Sequence, residues 1–287
     1  MADLYHQLLD ATIQHLQELK ARGVRSVALS PQALKDLGQV RRPAIRHRES
    51  LAEAVGATRV ARVTPTATIP PEPAAVHASL DSAKAAAFAD LRQRALACTR
   101  CAHLVASRRN VVFGVGNPDA TLMFVGEAPG ADEDQQGEPF VGAAGRLLTR
   151  IIQTMGLSRE SVYIANILKC RPDTPGQSSG NRRPTPEEMQ TCIPFLHEQI
   201  DLIRPQVLVA LGGIAIEGLL GKTVGITRLR GNWQVYRGIP LMPTYHPAYL
   251  LRNQALTEKR RVWEDMLQVM EKLGLAISQK QRQFFLK

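Results

Sequence analysis

The amino-acid sequence predicts an α/β protein: a three-layer α/β/α sandwich around a four-stranded, mostly parallel sheet, with a small helical extension at its N-terminus. Three observations lead there. Beyond about residue 91, short apolar runs alternate with longer amphipathic stretches. The runs are continuous rather than alternating, which suits strands buried on both faces of a parallel sheet. Glu127, Asn166, Gly212-Gly213 and His246 each fall at the end of such a run, where open α/β sheets bind ligands.

Strands are expected at Leu122–Val125, Val162–Ile167, Val207–Leu211 and Ile239–Pro243. Helices are expected at Gly142–Met155, Pro186–Ile203, Gly213–Leu220 and Thr257–Leu273, with one more from about Ser79 to Ala97 leading into Cys98. Ahead of these, Leu4, Leu8 or Leu9, Ile13 and Leu16 recur at helical spacing, and Gly23 is placed to stop that helix. Ser30-Pro31 reads as a cap and first turn ending at Gly38. From about Ala61 to Ala78 the chain turns to Thr, Pro and Ala, the composition of an extended linker. The expected organisation is therefore a helical appendage over residues 1–60, a linker over 61–78, an α/β domain over 79–275 and a tail over 276–287.

Hydrophobic residues make up 44% of the 287, enough for a real core. Lys and Arg outnumber Asp and Glu by 36 to 26, a net charge of +10 that favours a polyanionic partner such as nucleic acid. Residues 1–90 hold 11 basic and 9 acidic side chains, so 25 and 17 remain, and +8 of the surplus lies in residues 91–287. No apolar run approaches the roughly 18 residues that span a bilayer. The first residues lack a signal peptide's apolar core, which points to the cytoplasm.

All four cysteines lie between residues 98 and 192, as Cys98-x2-Cys101, Cys170 and Cys192. Four thiols with none left over, in a reducing compartment, suit a metal site. Their spacing leaves zinc and a [4Fe–4S] cluster both open. The stretch Gly126–Leu148 packs a glycine-rich turn, the acids Glu127, Asp132, Glu133 and Asp134, and the lone aromatic Phe140 between a strand and a helix.

These motifs resemble family 4 uracil-DNA glycosylases, the iron–sulfur branch of that superfamily. GEAPGADED at 126–134 with PFVG at 139–142 is similar to the family's first motif, NILKCRP at 166–172 to its asparagine motif and HPAYLLR at 246–252 to its histidine motif. The resemblance covers roughly residues 91–275. It implies the superfamily's α/β/α sandwich, a structural [4Fe–4S] cluster on Cys98, Cys101, Cys170 and Cys192, and a monomer acting on uracil in single- or double-stranded DNA, in the cytoplasm with the nucleoid. By the same resemblance Gly126 lies at the uracil site, Phe140 stacks on the extruded base, Asn166 reads its edge and His246 hydrogen-bonds its O2.

The best-known branch of the superfamily positions water with an Asp where Ala128 stands, and excludes thymine with a Tyr where Gly130 stands. The water then falls to Glu133, partnered by Asn181, or to Glu127. Leu250 or Leu251 is the candidate wedge for the gap left by the flipped base, with Arg252 near a phosphate. In the tail, Gln281-x-x-Phe284-Phe285 loosely resembles peptides that bind bacterial sliding clamps; the alternative is that both rings cover the domain's own surface. A competing class for the whole chain is a non-catalytic iron–sulfur DNA-binding module associated with replication.

Overall fold

Four continuous apolar runs become the parallel centre of the sheet, because a strand covered on both faces needs no polar side. They are β2 (Leu122–Gly126), β3 (Tyr163–Asn166), β4 (Val207–Leu211) and β6 (Ile239–Thr244). Residues 74–173, 181–221 and 225–286 are described in this computed structural model. The chain divides into two units, Met1–Ile69 and Pro70–Lys287, and every described residue belongs to the second. The helical appendage expected over 1–60 lies outside the described residues. So does most of the expected linker, although its last residues, from Ala74, already belong to helix α1 (Ala74–Leu96).

Among the described residues the sheet has six strands rather than the expected four, in the order β1-β3-β2-β4-β6-β5. The additions are β1 (Val115–Gly116) and β5 (Gln234–Tyr236), which pair antiparallel at the two edges. They escape a periodicity reading because two or three half-covered residues leave no apolar run. The chain leaves β2 for β3 on one side and returns to β4 on the other. The carboxyl end of β2 is thus a switch point, where such sheets open a crevice.

Alternate strand residues face opposite layers. Met123, Val125, Tyr163, Ala165, Leu208 and Ala210 pack against α1 and against α5 (Pro186–Ile203) and α6 (Gly213–Leu220). Leu122, Phe124, Ile164, Val207 and Val209 pack against α4 (Ala143–Thr154) and α9 (Leu256–Lys272). Short helices fill the connections: α2 (Ala102–Ser107), α3 (Ala131–Gln136), α7 (Ile226–Leu229) and α8 (Pro247–Arg252).

The tail does not stand apart from the domain. A capping box at Ser278 starts α10 (Gln279–Gln283), and the Gln281 side chain donates to the Thr154 carbonyl at 2.7 Å. Trp263 Nε1 donates to the Gln281 carbonyl at 2.6 Å, and the Phe284 ring lies 5.6 Å from the Trp263 ring. Phe285 remains 43% exposed. Truncation after Ala276 should therefore lower stability, on the order of 2 kcal/mol for an aromatic partly buried against the core. Thermal denaturation reads this directly, and an unchanged midpoint would show that the tail contributes nothing.

Candidate active site

The site begins where β2 ends. A Cβ at Gly126 would lie 2.3 Å from Asn166 Oδ1 and 2.5 Å from Phe140 Cζ, so only glycine lets these two side chains converge. Asn166 ends β3, paired with Gly126 across the ladder. Its side chain is 2% exposed, and its Oδ1 has no hydrogen-bond partner among the described residues. A buried acceptor without a donor costs about 1–3 kcal/mol, which marks a place for a ligand.

Phe140 adopts a left-handed backbone, φ 54°, unusual for a bulky residue. Arg159 holds it there, donating to the Phe140 carbonyl at 3.1 Å and the Pro139 carbonyl at 2.8 Å. Strain of this kind collects at binding sites that the surroundings over-determine. The ring lies 5.6 Å from the His246 ring, tilted by 31°.

His246 caps α8. Its Nδ1 accepts from the Ala248 amide at 3.1 Å, so the neutral ring carries its proton on Nε2 as a donor. Burial lowers its pKa to about 4, with the positive charge of Arg252 acting the same way. The ring is therefore neutral at physiological pH.

Glu133, Phe140, Asn166, Asn181 and His246 line one cavity of about 150 Å³, with the small residues Ala128, Gly130, Ala144 and Ala248 completing its wall. Glu133 is also structural. Its Oε2 accepts from Gly130 N, and its Oε1 from Val141 N and Gly142 N, each at 3.0 Å. A Cβ on Gly130 would come 2.6 Å from Glu133 Oε2 and 3.1 Å from Asn181 Nδ2, so the space that a larger residue would fill is flanked by these two groups.

Not every expected residue reaches this cavity. Glu127 lines the adjoining outer cavity, with Asn181, Arg182, His246 and Arg252. Burial raises the pKa of its carboxyl, opposed by the charge of Arg183. Of the two leucines named as a wedge, Leu250 is 5% exposed and packs with Tyr245 and Val262, because it faces inward on α8. Leu251, 38% exposed, is the leucine a duplex could meet.

The loop bearing Asn181 is held by a residue that sequence reasoning missed. Glu188 accepts from Arg182, His103 and the Thr185 amide. Burial pushes its carboxyl up, but these donors outweigh burial and hold its pKa at about 2. The only sequence signal is the Thr-x-x-Glu capping box, which says nothing of Arg182. Arg159 left no sequence signal at all.

Cys98, Cys101, Cys170 and Cys192 line a second cavity with Leu104, Arg108, Leu168 and Thr191. Among the described residues no three His, Cys, Asp or Glu side chains converge as ligands of a single ion; the thiols stand around a space. Arg108 donates to Cys170 Sγ at 3.0 Å and to the Cys98 carbonyl at 2.8 Å, and the Lys169 amide donates to Cys192 Sγ at 3.2 Å. Burial pushes the Cys192 thiol up to about 12, so as a bare thiol it is protonated. Sulfurs that receive an arginine and a peptide N–H, beside a buried lysine, fit ligation as thiolates to a metal cluster.

An open sheet that gathers an aromatic ring, an unsatisfied carboxamide and a neutral imidazole at its strand ends is equipped to clasp a planar heterocycle and read its edge. A profile of the Uracil DNA glycosylase superfamily matches residues 113–267, more than half of the chain, and the chain belongs to that superfamily. Within it, the chain is 48% identical over 179 residues to the type-4 uracil-DNA glycosylase of Thermotoga maritima, covering 61% of this chain and 88% of that protein. It is 43% identical over 178 residues to the type-4 enzyme of Archaeoglobus fulgidus, covering 59% and 86%. The type-5 uracil-DNA glycosylase of Thermus thermophilus is 30% identical over 190 residues, covering 54% and 84%.

Gly126→Ala should close the cavity while sparing the fold, since its methyl meets the side chains of Asn166 and Phe140 rather than backbone. Affinity for a uracil-containing oligonucleotide should drop about a hundredfold, the scale of a lost buried recognition contact. Wild-type affinity in a correctly folded variant would refute the close approach at position 126.

Proposed function

We propose that this chain is a monofunctional uracil-DNA glycosylase that flips uracil out of DNA and hydrolyses the N-glycosidic bond. It leaves an abasic site for base-excision repair. The observation that carries this reading is the buried, unpartnered Asn166 Oδ1 in the cavity beneath Phe140 and His246. Uracil N3–H supplies the missing donor, while the amide NH₂ donates to O4. Cytosine presents the opposite pattern and leaves like facing like. The Phe140 ring stacks on the base.

As the bond to C1′ stretches, negative charge moves onto uracil O2. The Nε2–H of neutral His246 stabilises it, a contribution typically worth about 3–4 kcal/mol for one such donor. Water attacks the sugar from the Glu133 and Asn181 side of the cavity. Three of the carboxylate's roughly four acceptor positions are taken by backbone amides. The remaining one, beside Asn181 Nδ2, orients the water. Glu127 faces the outer cavity, where the polymer passes, and is assigned no role in the attack.

Arg252 on the outer cavity suits a phosphate, and Leu251 on α8 suits the gap in the stack. Cys98, Cys101, Cys170 and Cys192 would hold a [4Fe–4S] cluster. When bound it supplies a cross-link between the turn joining α1 to α2, the segment after β3 and α5, and no electron, since the hydrolysis is redox-neutral. The enzyme works as a monomer on chromosomal DNA in the cytoplasm; among the described residues no helix is long and apolar enough to cross a membrane. A sliding-clamp contact through Gln281, Phe284 and Phe285 would first have to release Gln281 and Phe284 from the domain. A non-catalytic DNA-binding module has no use for a buried acceptor left open in a cavity.

Purified protein incubated with a single-stranded uracil oligonucleotide and then treated with alkali should break the strand at uracil. An intact strand overturns the reading. Asn166→Asp should lose on the order of 10²-fold or more on uracil while keeping the fold, because an ionised carboxylate cannot donate to O4. Wild-type excision in that variant would remove Asn166 from the base edge.

The pH profile tests His246 separately. Its folded pKa is depressed, so the ring stays neutral as pH falls through the ordinary 6.5 and takes its proton only towards about 4. Single-turnover excision should hold level across that window and fall below it. Stability should decline over the same window, because the unfolded chain binds the proton that the folded chain refuses. A rate that rises on protonation near 6.5 would require an imidazolium instead.

A further inference from the structure

Lys169 lies between the two cavities and belongs to neither wall. It is 1% exposed, yet among the described residues its ammonium donates only to neutral acceptors: the Asn166 carbonyl at 3.0 Å and Gln199 Oε1 at 2.7 Å. Gln199 is itself fully buried and pinned, donating to the Phe113 carbonyl at 2.9 Å and the Tyr163 hydroxyl at 3.0 Å. At its other end, the Lys169 amide donates to Cys192 Sγ, and the next residue is Cys170.

The sheet explains why this carbonyl needs a side chain. The Ile167 amide donates to the Gly126 carbonyl on the β2 side, so the Asn166 carbonyl across the same peptide points the opposite way. There the edge strand β1 pairs only with Tyr163 and Ile164, two residues short of Asn166. Without Lys169 the carbonyl of the Asn166–Ile167 peptide would be buried without a donor, and the peptide would be held from the β2 side alone.

A neutral side chain could fill this space more cheaply, because a buried charge is tolerated only against a compensating one. The compensation on the page is the cysteine site. Once the four sulfurs ligate as thiolates, the positive charge of Lys169 acts on Cys192 and Arg108 donates to Cys170.

We propose that Lys169 is a positioning residue that fixes the Asn166 peptide for base reading and balances the charge of the thiolate site, so that uracil recognition and cluster retention depend on one ammonium. This rests on the uracil-excision reading above.

The experiment compares full-length wild type with Lys169→Met and Lys169→Arg. Three readouts are taken: visible absorbance and iron per chain, single-turnover excision, and affinity for an oligonucleotide carrying non-cleavable 2′-fluoro-2′-deoxyuridine. Lys169→Met, which keeps the length but loses charge and donor, should lose cluster absorbance and about tenfold in excision, the scale of one buried donor. Lys169→Arg keeps the charge but misplaces the donor, so it should retain the absorbance and still lose the excision. It also carries the test if the methionine variant does not fold.

The deciding measurement is a cycle with Asn166→Ala. The loss in affinity for the fluorinated oligonucleotide caused by either Lys169 variant should vanish in that background, whereas a purely structural role would leave it in place. An undiminished loss there, or full absorbance in Lys169→Met, overturns the proposal. Failure of the wild type to excise uracil would instead strike the function itself, so the two failures are distinct.

Discussion

Asn166 and Phe140 approach within the space that any side chain at position 126 would need, so the cavity exists because β2 ends in glycine. The rest of the site follows from that approach. The ring can lie over the amide only if the backbone of Phe140 enters the left-handed region, and Arg159 holds it there. The sheet supplies the rigidity, since Gly126 and Asn166 are paired neighbours in a ladder buried on both faces. Recognition thus stands on strand ends, with loops contributing the ring and the imidazole.

The electrostatics of the site run towards neutrality. His246 is kept uncharged by burial and by Arg252, and the Ala248 amide selects the tautomer that donates from Nε2. A neutral donor gains little from an uncharged base and more from the anion that forms, and that difference is what accelerates a reaction. Glu133 is committed to three backbone amides, so its charge is spread into the loop while its carboxylate still borders the cavity.

The cysteine site and the base site share a scaffold. Cys170 lies four residues beyond Asn166, and Arg182, next to Asn181, is clamped by Glu188 on the helix that carries Cys192. His103, on the short helix after Cys101, binds the same carboxylate. Two strands of contact therefore run from the thiols to the cavity, one through Lys169 and one through Glu188. A cross-link at the cysteines would hold the ends of both.

Much of this was legible in the sequence, because continuous apolar runs encode strands covered on both faces, and residues directly after such runs must emerge at one edge of a parallel sheet. That reasoning reached Glu127, Asn166 and His246, whereas Phe140 and Glu133 were singled out by the motif they share with a known family and the four thiols by their number and spacing. Edge strands of two or three residues carry too little pattern to be read, and Leu250 could not be told from Leu251 because adjacent residues on a helix differ only in the face they turn. The partners that hold the site were beyond reach for one reason. Arg159, Glu188 and Lys169 act through hydrogen bonds to backbone atoms or to side chains that only the folded chain brings near, and a backbone carbonyl leaves no mark on the sequence. The local pattern determined which residues end strands and which chemistry they carry. Tertiary packing alone decided which of them meet, since only burial turns the Asn166 amide into an acceptor in need of a donor.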